Sequence, residues 1–269
     1  MQSHLLPYQS SLFHYQKAGS GKVLLFCLHG YGEDCGSFEG LAESVDQAFT
    51  LICLDLPHHG QTIWQPDLSF SPEDLAAVLD LILERHQLQL APLQLVGYSM
   101  GARVILGLLP RIGVPVKKIL LIAPDGLRTS RWYFIATQTW LGSLIFKSLM
   151  HNPSLLVNLV GLAGRMGWLN RSISKFALSY LQDPQARMDL YRRWMTMRKF
   201  RCGKKEIKQL IRTRRIRVDL VFGEFDRMIS YRSGELFRKH IESHCHLTVL
   251  PAGHQILQER NLDALKRLL

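Results

Sequence analysis

The 269-residue chain lacks several things, and each lack closes off a class of function. No two of its five cysteines, Cys27, Cys35, Cys53, Cys202 and Cys245, form a C-x-x-C pair, so neither a zinc ribbon nor a thioredoxin-type redox centre is indicated. Cys27 and Cys53 sit inside apolar runs, where a thiol behaves as a small hydrophobe. Residues 1–15 have no basic start followed by an apolar stretch, which predicts no secretory leader and a reduced, cytoplasmic setting. Residues 132–150 are largely apolar and aromatic, but Lys147 and several Thr, Gln and Ser residues interrupt them. They fall short of the roughly 20 clean apolar residues of a membrane span. Internal repeats and low-complexity tracts are missing too, and Gly 20 with Pro 11 excludes a collagenous chain. What is present is a composition 47% hydrophobic, enough to bury a real core in one large domain.

Charge is plentiful but uneven. The formal net charge is +11, yet residues 1–125 hold 7 basic against 12 acidic side chains. Residues 126–217 hold 19 basic against 3 acidic, and residues 218–269 hold 7 of each. A shift this sharp marks an inserted segment and assigns the basic character to it.

The apolar runs at 12–17, 22–28, 50–54, 93–96, 119–122 and 218–222 are short and bounded by Gly, Pro, Asp or charge, as strands are. The run Val23-Leu24-Leu25-Phe26-Cys27-Leu28 is apolar throughout, as expected of a strand covered on both faces. Helical patterns lie between them. Ser71 is placed to cap one such helix, with Pro72 at its first position, acids in its first turn, and Leu75, Val78, Leu79 and Ile82 forming an inward stripe. Strands alternating with helices predict an α/β fold with a mostly parallel sheet and helices on both faces. The alternation breaks from 126 to 217, where helical patterns follow one another, and resumes at Val218. The expected domain is therefore 1–125 with 218–269, carrying 126–217 as an insertion.

Gly97-Tyr98-Ser99-Met100-Gly101 lies between a predicted strand and a predicted helix. There G-x-S-x-G is a strand-to-helix elbow that holds its serine in a strained backbone, with the hydroxyl above the strand ends. A serine needs a base and an orienting acid to be a nucleophile. In this fold class they follow in the order acid, then histidine. Asp226, just past one strand end, and His254, in Gly253-His254 past another, fit that order; Asp125 and Glu224 compete for the acid's place. Acyl transfer also needs backbone N–H groups aimed at the developing oxyanion. Met100 and Tyr31, the latter in His29-Gly30-Tyr31-Gly32, are the expected donors. His29 and Asp55 read as structural.

These motifs, with Asp55-Leu56-Pro57-His58-His59-Gly60 and Gly223-Glu224-Phe225-Asp226, make the sequence resemble the α/β-hydrolase superfamily. The resemblance covers all but the insertion, which lies where that family places a helical cap. It implies an eight-stranded sheet, a Ser–Asp–His triad and no metal or organic cofactor. Two chemistries stay open under it. One is hydrolysis of a carboxylic ester or thioester. The other is pyruvate elimination, as in the menaquinone-pathway lyase that residues 97–103 also resemble, where an arginine matching Arg103 binds a substrate carboxylate. A non-catalytic ligand-binding protein on the same scaffold is a third reading.

The basic insertion can be a solvated cap, a field that draws in an anionic substrate, or a face for peripheral contact with an anionic membrane. Trp132 and Trp140 are candidates for lining an apolar acyl pocket within it. The cluster Arg212, Arg214, Arg215 and Arg217 comes with no nucleic-acid-binding motif, so a nucleic-acid partner is not expected.

Overall fold

Each apolar run becomes a strand, and the strands assemble into one sheet. In this computed structural model β1 spans Gln2–Tyr8, β2 Ser11–Ala18, β3 Val23–Leu28, β4 Phe49–Leu54, β5 Leu93–Tyr98, β6 Val116–Ile122, β7 Arg217–Gly223 and β8 Cys245–Leu250. Residues 46, 66–68, 129–130, 169–174, 176–177, 179–180 and 202 lie outside the described residues. The sheet order is β1-β2-β4-β3-β5-β6-β7-β8. β1–β2 and β2–β4 pair antiparallel, and every later pair is parallel. β2 and β3, joined through Gly19 (φ +73°), are consecutive in the chain but separated in the sheet by β4. β1, whose sequence alternates weakly, is an edge strand and was not among the expected ones.

Core helices are α1 (Glu39–Ser44), α2 (Pro72–Arg85) and α3 (Met100–Leu108). On one sheet face Leu25, Cys27, Val96 and Ile122 pack against Phe38, Leu41 and Leu265. Strand alternation turns Leu24, Phe26 and Leu95 to the opposite face. There α3 packs on β3 and β5, with α2 against it. α2 begins as expected: Ser71 Oγ accepts from Asp74 N while the Asp74 carboxylate accepts from Ser71 N, a capping box.

The chain divides into two compact units, Met1–Arg128 with Lys199–Leu269, and Thr129–Arg198. In the second unit, α4 (Arg131–Gln138), α5 (Trp140–His151), α6 (Ser154–Arg165) and α7 (Pro184–Thr196) are helical. Phe146, Met150 and Leu181 form its buried centre, and Phe146 lies 5.4 Å from Tyr191 and 5.5 Å from Trp194. The division falls at 129 and 198, against the 126–217 that the sequence pattern marks as the inserted segment. α8 (Lys204–Thr213) belongs to the first unit, burying Ile207 and Ile211, while Arg214 Nη1 donates to the Leu109 and Ile112 carbonyls. It is an amphipathic helix leading into a parallel strand, and no local pattern separates it from the helices before it. The charge is divided accordingly: residues 199–217 carry nine basic and one acidic side chain, and residues 129–198 carry nine and two. α9 (Arg232–Arg238) and α10 (Glu259–Lys266) complete the first unit.

Candidate active site

The parallel strands β3, β5, β6, β7 and β8 present their C-terminal ends at one edge of the sheet, and the candidate residues are on the loops there. Ser99 sits between β5 and α3 at φ 49°, ψ −111°. A non-glycine residue in this region costs on the order of 1–3 kcal/mol and persists only where its surroundings hold it. They do: Ser99 N donates to Ile122 O at 2.8 Å, and Ser99 O accepts from Ala102 N and Asp125 N, each at 3.1 Å. The flanking glycines are a steric necessity. A Cβ on Gly97 would lie 2.7 Å from Ala102 Cα, and one on Gly101 only 2.0 Å from Leu28 O.

His254, on the loop after β8, brings Nε2 to 3.1 Å from Ser99 Oγ, and its Nδ1 lies 2.7 Å from Asp226 Oδ2. Asp226 Oδ1 accepts from Met228 N at 2.7 Å and Ile229 N at 2.9 Å. The Asp226 side chain is fully enclosed. Burial alone would raise its carboxyl, but the His254 bond and the two backbone N–H groups outweigh it and hold the group below the ordinary carboxylate range. An ionised Asp226 in turn fixes the proton on His254 Nδ1 and leaves Nε2 as the acceptor facing Ser99. Tyr98 OH donates to His254 O at 3.2 Å and steadies the histidine loop from beneath. Chemically this is a hydroxyl, a base and an acid in series, able to activate an oxygen nucleophile.

The competing acids are engaged or exposed. Asp125 Oδ2 pairs with Arg103 Nη1 at 3.3 Å while its Oδ1 accepts from Gly126 N, and Glu224 is exposed. Met100 opens α3, so its N–H has no carbonyl within the helix to bond. Tyr31 follows Gly30 in a tight loop in which Glu33 N donates to Gly30 O at 3.3 Å, and Glu33 Oε2 accepts from Gly30 N at 3.3 Å and Ser37 Oγ at 3.1 Å. Burial raises the Glu33 carboxyl against the lowering effect of those same bonds.

A model of the alpha/beta hydrolase family matches residues 24–268. The chain belongs to the alpha/beta hydrolase family. Among its relatives is the "Uncharacterized hydrolase YugF" of Bacillus subtilis (strain 168), 23% identical over 249 residues, covering 92% of this chain and 88% of that one. A second is the pimeloyl-[acyl-carrier protein] methyl ester esterase of Chromobacterium violaceum, 33% identical over 107 residues, 39% of each chain. Among solved structures, a thermophilic esterase from Thermogutta terrifontis superposes with a TM-score of 0.70 at 15% identity, covering 100% of this chain and 98% of that one; it speaks for the fold. Family membership places this chain among hydrolase-type enzymes.

Other expected positions in the hydrolase fare differently. Arg103, 12% exposed, pairs through Nη1 with Asp125 within the first unit. Trp132 and Trp140, in the second unit, are 81% and 80% exposed. His29 and Asp55 are structural, as expected. His29 Nδ1 donates to Gly30 O at 2.8 Å and its Nε2 accepts from Leu56 N at 3.0 Å. Asp55 accepts from His14 Nδ1 at 2.7 Å and from Cys35 N and Gln61 N at 2.8 Å each. His14, Cys35 and Asp55 could between them offer three metal-ligand atoms. However, burial pushes the Cys35 thiol up, and it donates to Cys53 O at 2.8 Å, so the three serve as a hydrogen-bonded pin. Glu33 and Tyr98 were not among the expected residues. An acid three residues after Gly30 was the available signal for Glu33, and the elbow's own tyrosine for Tyr98.

Proposed function

We propose that this hydrolase cleaves a carboxylic ester or thioester through an acyl-enzyme on Ser99. His254 Nε2 takes the Ser99 proton as Oγ attacks the carbonyl carbon, and Asp226 stabilises the imidazolium that forms. The tetrahedral oxyanion sits against the Met100 and Tyr31 N–H groups. Its collapse breaks the bond to the alcohol or thiol, which leaves with the proton from His254. A water molecule, deprotonated by the same nitrogen, then releases the acid and restores Ser99. None of these steps calls on a metal or an organic cofactor.

The observation that carries the reading is the unbroken chain Asp226 Oδ2–His254–Ser99 Oγ, with spacings of 2.7 and 3.1 Å. The partial match to an esterase that acts on a pimeloyl methyl ester supports an acyl substrate. The basic surplus, present in both units, supports an anionic one drawn in by the field. The four described cysteines are free and buried, which suits a reduced, cytoplasmic setting. The ion pair of Arg103 Nη1 with Asp125 counts against the lyase reading, which asks that guanidinium to hold a substrate carboxylate.

The test is labelling with a fluorophosphonate, followed by peptide mapping, together with turnover of aryl esters and acyl thioesters of varied length and charge. Label on Ser99, abolished with turnover in a folded Ser99→Ala variant, is the expected result. Retained turnover in that variant, or label elsewhere, sinks the proposal.

A further inference from the structure

The unit Thr129–Arg198 carries an apolar surface that its own core does not use. α5 turns Phe146 and Met150 inward, while Leu141, Leu144 and Ile145 on the same helix are 59%, 52% and 49% exposed. α6 buries no residue at all. Leu155, Leu159, Leu162 and Met166 are spaced i, i+4, i+7 and i+11, so they share one helical face, and they are 61%, 53%, 53% and 51% exposed. The same unit exposes three tryptophans, Trp132, Trp140 and Trp168, with 81%, 80% and 74% of their surface exposed. A surface of this kind marks an interaction face, not chance exposure.

The charge identifies what the face meets. From Gly126 to Gln182 the sequence contains no aspartate or glutamate and six basic residues. The acids of the unit, Asp183 and Asp189, come later, and Asp183 is occupied in capping α7. Exposed Lys147 and Arg165 lie on α5 and α6 themselves. Apolar stripes, exposed indoles and charge of one sign only are the marks of a helix lying in the headgroup region of an anionic bilayer. Association of two copies through this face would set positive against positive. Among the described residues no helix is long and apolar enough to cross a membrane.

We infer that α4, α5 and α6, with Trp168, form an interfacial surface by which the enzyme adsorbs to anionic lipid. The inference does not depend on the chemistry at Ser99. It is tested with the full chain by sedimentation with vesicles of phosphatidylcholine alone and of phosphatidylcholine with about one-third phosphatidylserine, at about 0.1 M salt. The expected result is partitioning at least about tenfold stronger onto the anionic vesicles, with a blue shift in tryptophan emission and loss of binding as salt rises. Leu155→Ser/Leu159→Ser/Leu162→Ser should lose binding, as should Lys147→Glu/Arg165→Glu, each with an unchanged circular dichroism spectrum and unchanged turnover of a short soluble ester. Equal, weak partitioning onto both vesicles overturns the inference. So does a dimer that only the leucine variant dissolves, which would make a second copy the occupant. Loss of soluble-ester turnover in the leucine variant would instead assign the face to the substrate's path, and also overturns it.

Discussion

Replacing Asp226 by asparagine tests the site at its most constrained point. Asp226 Oδ1 receives two backbone N–H groups at 2.7 and 2.9 Å, and Oδ2 receives His254 Nδ1 at 2.7 Å. Asparagine has one oxygen, and the two fixed backbone donors hold it. Its amide NH2 therefore faces His254 Nδ1, which must become an acceptor. The ring proton moves to Nε2 and points at Ser99 Oγ, 3.1 Å away, so the base is lost with the geometry intact. In a triad of this arrangement that exchange lowers kcat about ten-thousand-fold, or roughly 5.5 kcal/mol of transition-state stabilisation. Stability should change far less, on the order of 1–3 kcal/mol for one charge-assisted bond. Because the Asp226 pKa is depressed on folding, its contribution is present above the unfolded value and lost as pH falls through the folded one. The variant should therefore lie closest to the native protein in acid. Initial rates on a short aryl ester, with urea unfolding at several pH values, measure both quantities. A loss of about tenfold or less in a folded variant, or an equal loss in Asp125→Asn, would refute the reasoning.

Gly101→Ala should damage the elbow more than an ordinary helix glycine would, because its Cβ meets Leu28 O at 2.0 Å and Leu28 C at 2.5 Å, both backbone. A loss of about 1–3 kcal/mol in urea unfolding is expected, with a fall in kcat beyond what unfolding explains as the Met100 N–H is displaced. Asp55→Ala should destabilise by roughly 3–5 kcal/mol, since it strands buried His14 and the buried Cys35 N–H and frees the Gln61 N–H, while leaving the fluorophosphonate reactivity of the folded fraction unchanged. Burial raises the Asp55 carboxyl, but the Gln61 and Cys35 hydrogen bonds lower it further. Its contribution is therefore lost as pH falls through the depressed value, and the gap between native and variant urea midpoints should close in acid.

What could be read without coordinates is what short-range rules control. The fully apolar run 23–28 had to be a strand covered on both faces, and residues Leu24 to Leu28 are indeed at most 1% exposed. Ser71-Pro72-Glu73-Asp74 had to open a helix. Gly97 and Gly101 had to be glycine because a strand turning directly into a helix leaves no space for a Cβ. Chain order alone could nominate Asp226 with His254 and Ser99, for the elbow and the two strand-end loops are local features.

Tertiary structure decided whatever depends on which distant groups meet. β4 inserts between β2 and β3, although those two are neighbours in sequence. Helix 204–213 joins the first unit because Ile207 and Ile211 are buried and Arg214 reaches the Leu109 and Ile112 carbonyls, contacts separated by about a hundred residues of chain. With it goes about half of the basic surplus that composition had assigned to the insertion. Asp125 stood as close to a strand end as Asp226 did, and only its ion pair with Arg103 shows it occupied elsewhere. Periodicity tells a helix which of its faces is apolar; the partner for that face comes from long-range packing, which no local pattern encodes.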